Sequence, residues 1–76
     1  MLDFRVDTFL AVCRCMSFTR AAAALHITQP AVSQHIRALE AQYGVRFFSF
    51  EGKKLTLTDA GRLFLRTATT MRHDAQ

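Results

Sequence analysis

The side chains with the most chemistry to offer stand close together: Gln29, Pro30, Ser33, Gln34 and Arg37 in the stretch "ITQPAVSQHIRALE", residues 27–40. Placed at about 100° per residue, as an α-helix requires, Pro30, Ser33, Gln34, Arg37 and Ala41 gather on one side. Val32, Ile36, Leu39 and Tyr43 fall in a narrow arc on the other, which is the expected core side. Gln29 lies at the N-terminal end of the polar surface, on its flank. Amide, hydroxyl and guanidinium groups without a carboxylate suit contact with nucleic acid. A helix fits the major groove, and residues of its first turn meet the base edges. Gln pairs with adenine through two hydrogen bonds, Ser reaches most bases, and Arg37 one turn on reaches guanine or a phosphate. Pro30 and Ala31 are small enough to lie against a thymine methyl. The free N–H groups of a helix start favour phosphate.

A polar helix face is ordinarily just a solvated one. Two features argue for more here. Solvated faces are rich in Glu and Lys pairs, yet this face has none before Glu40. Residues 8–39 contain no acidic residue at all, while Arg14, Arg20 and Arg37 fall within them. With a net charge of +4, that one-signed surface attracts polyanions. Other chemistries are poorly supplied. No nucleophile–base pair, metal cluster or glycine-rich phosphate loop appears, so an enzyme is not expected. Cys13 and Cys15, the only cysteines, lie two apart in a helical pattern and point to nearly opposite sides, which predicts reduced, packed thiols. His26, His35 and His73 follow no ligand spacing.

The elements that must position this face are legible. With 76 residues, half of them hydrophobic, the chain can build one modest core. A first helix is expected from about Phe4 to Met16, with Val6, Phe9, Leu10 and Cys13 on its inner face. Ser17 is an N-cap for a second helix, "FTRAAAAL" from Phe18 to Leu25, whose small alanines let another helix approach closely. Thr28 is the N-cap of the third, with Pro30 in its first turn, and Gly44 ends it after Tyr43. "FFSF" and "LTL" around "EGKK" predict a short hairpin turning on a glycine. Thr58 with Asp59 opens a last helix through "DAGRLFLRTATTM". No apolar run approaches the roughly 18 residues of a membrane span, and the N-terminus lacks signal-peptide character, so a cytoplasmic location is expected.

The order and distances of "SFTRAAAALHITQPAVSQHIRALE", "GVRFF" and "LTDAG" make the chain, from Leu2 to about Met71, resemble the N-terminal domain of LysR-type transcriptional regulators. The resemblance implies a mainly α fold: a winged helix-turn-helix with a three-helix core and a β-hairpin wing over residues 1–57, then a dimerising linker helix beginning at 58–76. It implies binding to double-stranded DNA as a homodimer on an imperfect palindrome. Helix 28–43 would lie in the major groove and the wing, 51–54, near the minor groove. No cofactor is expected in this domain. A small-molecule effector would bind only a C-terminal domain, which this chain does not contain. Gln29, Pro30, Ser33 and Gln34 match the family's base-contacting stretch, and Ser17 and Thr28 match helix starts lying against phosphates. Lys53 occupies a wing position where relatives carry a basic residue that enters the minor groove, and Lys54 follows the backbone. Two residues depart from the pattern: Phe50 stands where relatives commonly have a basic residue, and Gln34 where they often have arginine.

Smaller features complete the expectations. At strand spacing Phe48 faces away from Phe47, so one side is core, and a stacking platform for single strands is disfavoured. Phe50 is expected under the wing or at a partner surface, and His35 as a partly exposed structural histidine. Gly61, costly inside a helix, implies close packing. Ala60, Phe64, Thr67 and Met71, with Leu63 alongside, form a seam. Its early part is expected to pack within the domain, onto the first helix, and its later part, Phe64, Thr67 and Met71, across a dimer. The alternative to DNA binding is a winged-helix protein-interaction module.

Overall fold

The computed structural model of the protein describes residues 3–74. Four helices and one hairpin follow in order: α1 (Phe4–Cys15), α2 (Phe18–Leu25), α3 (Gln29–Tyr43), β1 (Phe48–Glu51), β2 (Lys54–Leu57) and α4 (Asp59–Asp74). They divide into two compact units, Met1–Val45 and Arg46–Gln76.

In the first unit α1, α2 and α3 pack pairwise against one another. Each helix starts on a side-chain oxygen that accepts from a backbone N–H of the first turn. Asp3 Oδ1 takes Arg5 N–H at 2.9 Å, Ser17 Oγ takes Arg20 N–H at 3.1 Å, and Thr28 Oγ1 takes Ala31 N–H at 3.2 Å. Each ends on a left-handed residue: Met16 at φ 47°, His26 at φ 59° and Gly44 at φ 68°. Only the last of these is a glycine, for which that conformation is free of steric penalty.

The core of this unit is Phe9, Ala11, Val12, Ala21, Ala22, Val32, Ile36 and Leu39. The inner face of α1 is therefore wider than, and rotated from, the expected stripe. Thr8, Phe9, Ala11 and Val12 are buried, whereas Val6, Leu10 and Cys13 are only partly so. A helix flanked by two others buries a broad arc, and Thr8 is admitted because its hydroxyl is satisfied. It donates to Phe4 O at 3.2 Å and meets His35 Nδ1 at 2.8 Å. The His35 ring also lies edge-on to Phe4, centroids 4.8 Å apart, so His35 is the structural histidine anticipated. Tyr43 is a correction: it is 51% exposed, in the last turn before the Gly44 cap.

In the second unit the antiparallel strands pair Phe48 with Leu57, Ser49 with Thr56, Phe50 with Leu55 and Glu51 with Lys54. Gly52 turns the hairpin at φ 64°. Phe47 precedes β1, so strand alternation does not govern it; both Phe47 and Phe48 are buried, against the expectation that they face apart. Phe50 is 66% exposed and does not tuck under the wing.

Thr58 ties the hairpin to α4. Its hydroxyl donates to Arg46 O and accepts Gly61 N–H at 3.0 Å, while its own N–H donates to Phe47 O at 3.0 Å. Gly61 then sits against backbone: a Cβ there would lie 2.2 Å from Phe47 O and 2.8 Å from Leu57 Cδ2. This is the close packing its presence implied. Phe64, one turn on, stacks on Phe47 with centroids 4.7 Å apart and planes 18° from parallel.

Candidate nucleic-acid interface

α3 carries the expected two faces. Val32, Ile36 and Leu39 are buried, and Gln29, Pro30, Gln34, Arg37 and Ala41 are exposed, with Ser33 half-exposed. The polar face is thus not consumed by packing. Its first turn is ordered from both directions. Thr28 occupies the Ala31 N–H, Pro30 has no N–H and fits the first turn without loss, and Val32 N–H bonds Thr28 O at 3.2 Å. Gln29 and Ser33, one helical turn apart, are joined: Gln29 Nε2 donates to Ser33 Oγ at 3.1 Å. That bond was not foreseen, although the four-residue spacing of two polar side chains was its signal.

Ser17 and Thr28 share one chemical state. Each hydroxyl uses a lone pair to accept from the helix it caps, which leaves its O–H hydrogen as a donor of the kind a phosphate oxygen accepts. Both stand at helix N-termini, where the backbone dipoles favour an anion. Between them α2 presents Arg20 to solvent, and Arg37 is exposed one turn beyond Ser33. Neither Arg20 nor Arg37 forms an ion pair among the described residues. In the other unit Lys53 and Lys54, at the hairpin turn, are also exposed and outside any ion pair among the described residues.

Two other arginines are matched. Arg5 pairs with Asp3 at 2.9 Å, and Arg62 bonds Asp59 and Leu57 O. The hydrogen bonds from Arg5 hold the Asp3 carboxyl below its ordinary range.

Phe64 spends its ring on Phe47, Thr67 is exposed and donates to Leu63 O at 3.1 Å, and Leu63 is 63% exposed. Met71 lies outside the residues whose side chains are described. Cys13 and Cys15 are free thiols, both partly buried. Burial pushes the Cys13 thiol up to about 12. Among the described residues no group of His, Cys, Asp and Glu is placed to hold a metal ion, and no helix is long and apolar enough to cross a membrane.

Residues 5–62 match the family model for the bacterial regulatory helix-turn-helix protein of the lysR family. An uncharacterized HTH-type transcriptional regulator of Bacillus subtilis, YxjO, is 48% identical over 68 residues, which cover 90% of this chain and 23% of that protein. The chain thus spans about a quarter of the length of that relative. Among solved structures, a transcriptional regulator of the LysR family from Eggerthella lenta is 66% identical with a TM-score of 0.84, covering 92% of this chain and 99% of that one. The DNA-binding domain of CbnR, solved in complex with DNA, is 32% identical with a TM-score of 0.88, covering 99% of this chain and 86% of that one. Sequence and fold agree: the chain belongs to the LysR family of bacterial regulatory helix-turn-helix proteins.

Proposed function

We propose that this chain binds double-stranded DNA sequence-specifically, with α3 in the major groove and the hairpin turn beside the minor groove. The observation that carries the reading is the exposed, acid-free first half of α3, rigidly capped at Thr28 and bearing Gln29, Pro30, Ser33, Gln34 and Arg37. The likeness to a domain solved on DNA, over 99% of this chain, supports it. Gln29, Pro30, Ser33 and Gln34 meet base edges, Arg37 a guanine or phosphate, and Ser17 and Thr28 donate their hydroxyls to phosphates. Lys53 reaches toward the minor groove and Lys54 follows the backbone.

Residues 1–57 act as the winged helix-turn-helix, and 58–76 begin the helix that pairs two copies. Leu63 and Thr67, exposed along that helix, and Met71 beyond them are the surface for pairing, with Phe64 bracing the helix from behind on Phe47. A palindromic operator follows from that two-fold arrangement. Full-length relatives are several times longer, so effector binding is assigned to a further domain of such a protein. The domain itself needs no cofactor, does no enzymatic chemistry and works in the cytoplasm.

Salt dependence tests the reading. Affinity for a duplex carrying a selected site should fall steeply and linearly on a logarithmic salt axis, with slope about −0.9 per phosphate neutralised. Arg37→Ala or Lys54→Ala should flatten that slope by about one. Salt-insensitive behaviour, unmoved by Arg37→Ala and Lys53→Ala, would instead favour a protein-interaction module.

A further inference from the structure

We infer that Ser33 is a positioning residue for Gln29, and that the pair reads adenine at one position of the site; the inference rests on the duplex-binding reading above. Gln29 Nε2 donates to Ser33 Oγ at 3.1 Å, and both residues lie on the accessible face of α3. A free glutamine at a helix start samples many rotamers, all of which must be given up on binding a base. The bond to Ser33 removes much of that freedom beforehand. In the observed orientation one N–H hydrogen of the amide is spent on Ser33.

What remains is the second N–H hydrogen and the Oε1 acceptor, held in one plane. Adenine presents the complement in the major groove, the N7 acceptor beside the N6 amino donor. Guanine presents two acceptors there, and its O6 would face Oε1 with no hydrogen between them. Pro30 stiffens the same turn, and Thr28 anchors its start, so the backbone under Gln29 is fixed as well. Ser33 therefore acts on the base that Gln29 reads, not only on a base of its own.

The test is a specificity profile, with relative affinities for all four base pairs at every position of a selected duplex site. It is measured for the wild-type chain, Gln29→Ala, Ser33→Ala, the double variant and Ser33→Thr. The wild type should prefer adenine about five- to a hundredfold at one position, and Gln29→Ala should abolish that preference. Ser33→Ala should weaken it about two- to tenfold at the same position. The double variant should be no worse there than Gln29→Ala alone, and Ser33→Thr, which keeps the hydroxyl, should recover most of the preference. An adenine preference untouched by Ser33→Ala, or losses that add independently, would overturn the inference while leaving duplex binding intact. A base preference that survives Gln29→Ala would do the same. A wild-type profile with no preference anywhere would overturn the functional reading itself, and the inference with it.

Discussion

Gly61→Ala is the most exacting perturbation of the second unit, because two known effects oppose each other there. Alanine in a helix interior is favoured over glycine by about 1 kcal/mol. Against that, the added methyl would sit 2.2 Å from Phe47 O and 2.8 Å from Leu57 Cδ2, and the first neighbour is backbone and cannot rotate away. Relief requires the start of α4 to move about 1 Å from the Phe47 carbonyl, since ordinary contact lies beyond 3 Å. That movement strains the bonds that Thr58 makes to Phe47 O and Arg46 O, each worth about 1 kcal/mol, and pries Phe64 from Phe47. Overpacking of this kind typically costs about 1–3 kcal/mol by itself. The expected net loss is about 2 kcal/mol or more, which lowers the melting temperature of a domain this size by roughly 10 °C. Thermal and urea denaturation followed by circular dichroism read it directly. A variant as stable as the parent would show that Gly61 is not held by contact, and would refute the packing argument.

Thr28→Ala removes the oxygen that accepts Ala31 N–H and should cost about 1 kcal/mol in urea denaturation; Thr28→Ser should retain most of it. Asp3 offers a pH test with a definite sign. Its carboxyl is held below its ordinary value of 3.8 by the hydrogen bonds from Arg5, so its stabilisation is present above about pH 4 and is lost as pH falls through the lowered value. The stability gap between wild type and Asp3→Asn should therefore be seen at pH 6 and close as the pH is taken from 3.8 down through the lowered value. Cys13, whose thiol is pushed up to about 12 by burial, should resist maleimide at pH 8 in the folded chain and label promptly in urea, as peptide mapping will read. Labelling at equal rates in both states would contradict its burial.

Elements whose signals are local were legible in the residues. The caps Ser17 and Thr28, Pro30 in the first turn, Gly44 at the end and the glycine turn of "EGKK" set the bounds of α2, α3 and the hairpin. Gly61 was legible for a different reason: a costly residue in a helix implies a neighbour too close for a methyl. What escaped depends on partners distant in sequence. Nothing in "CRCMS" or "LHIT" announces left-handed residues at Met16 and His26, because neither position carries the glycine or asparagine that usually marks one. Thr8 is polar, and its burial follows only once His35, 27 residues on, is seen to bond it. Tyr43 shares the helical arc of Leu39, but periodicity does not say where the packing surface stops. Phe47 is buried ahead of the strand, where alternation has no force, and Phe50 is left exposed opposite the buried Leu55. Within the candidate site, residue types and spacing on α3 were readable. The bond that couples Gln29 to Ser33 is a matter of rotamers, which spacing alone does not fix.

Selection from a random pool of duplex DNA at near-physiological salt, followed by sequencing, tests the central claim most directly. Sequence-specific reading by α3 predicts enrichment of a defined motif, arranged with dyad symmetry when two copies bind, and loss of that motif's bases on substituting Gln29 or Ser33. Folded protein that enriches no motif, at any salt concentration at which it still binds, would contradict it.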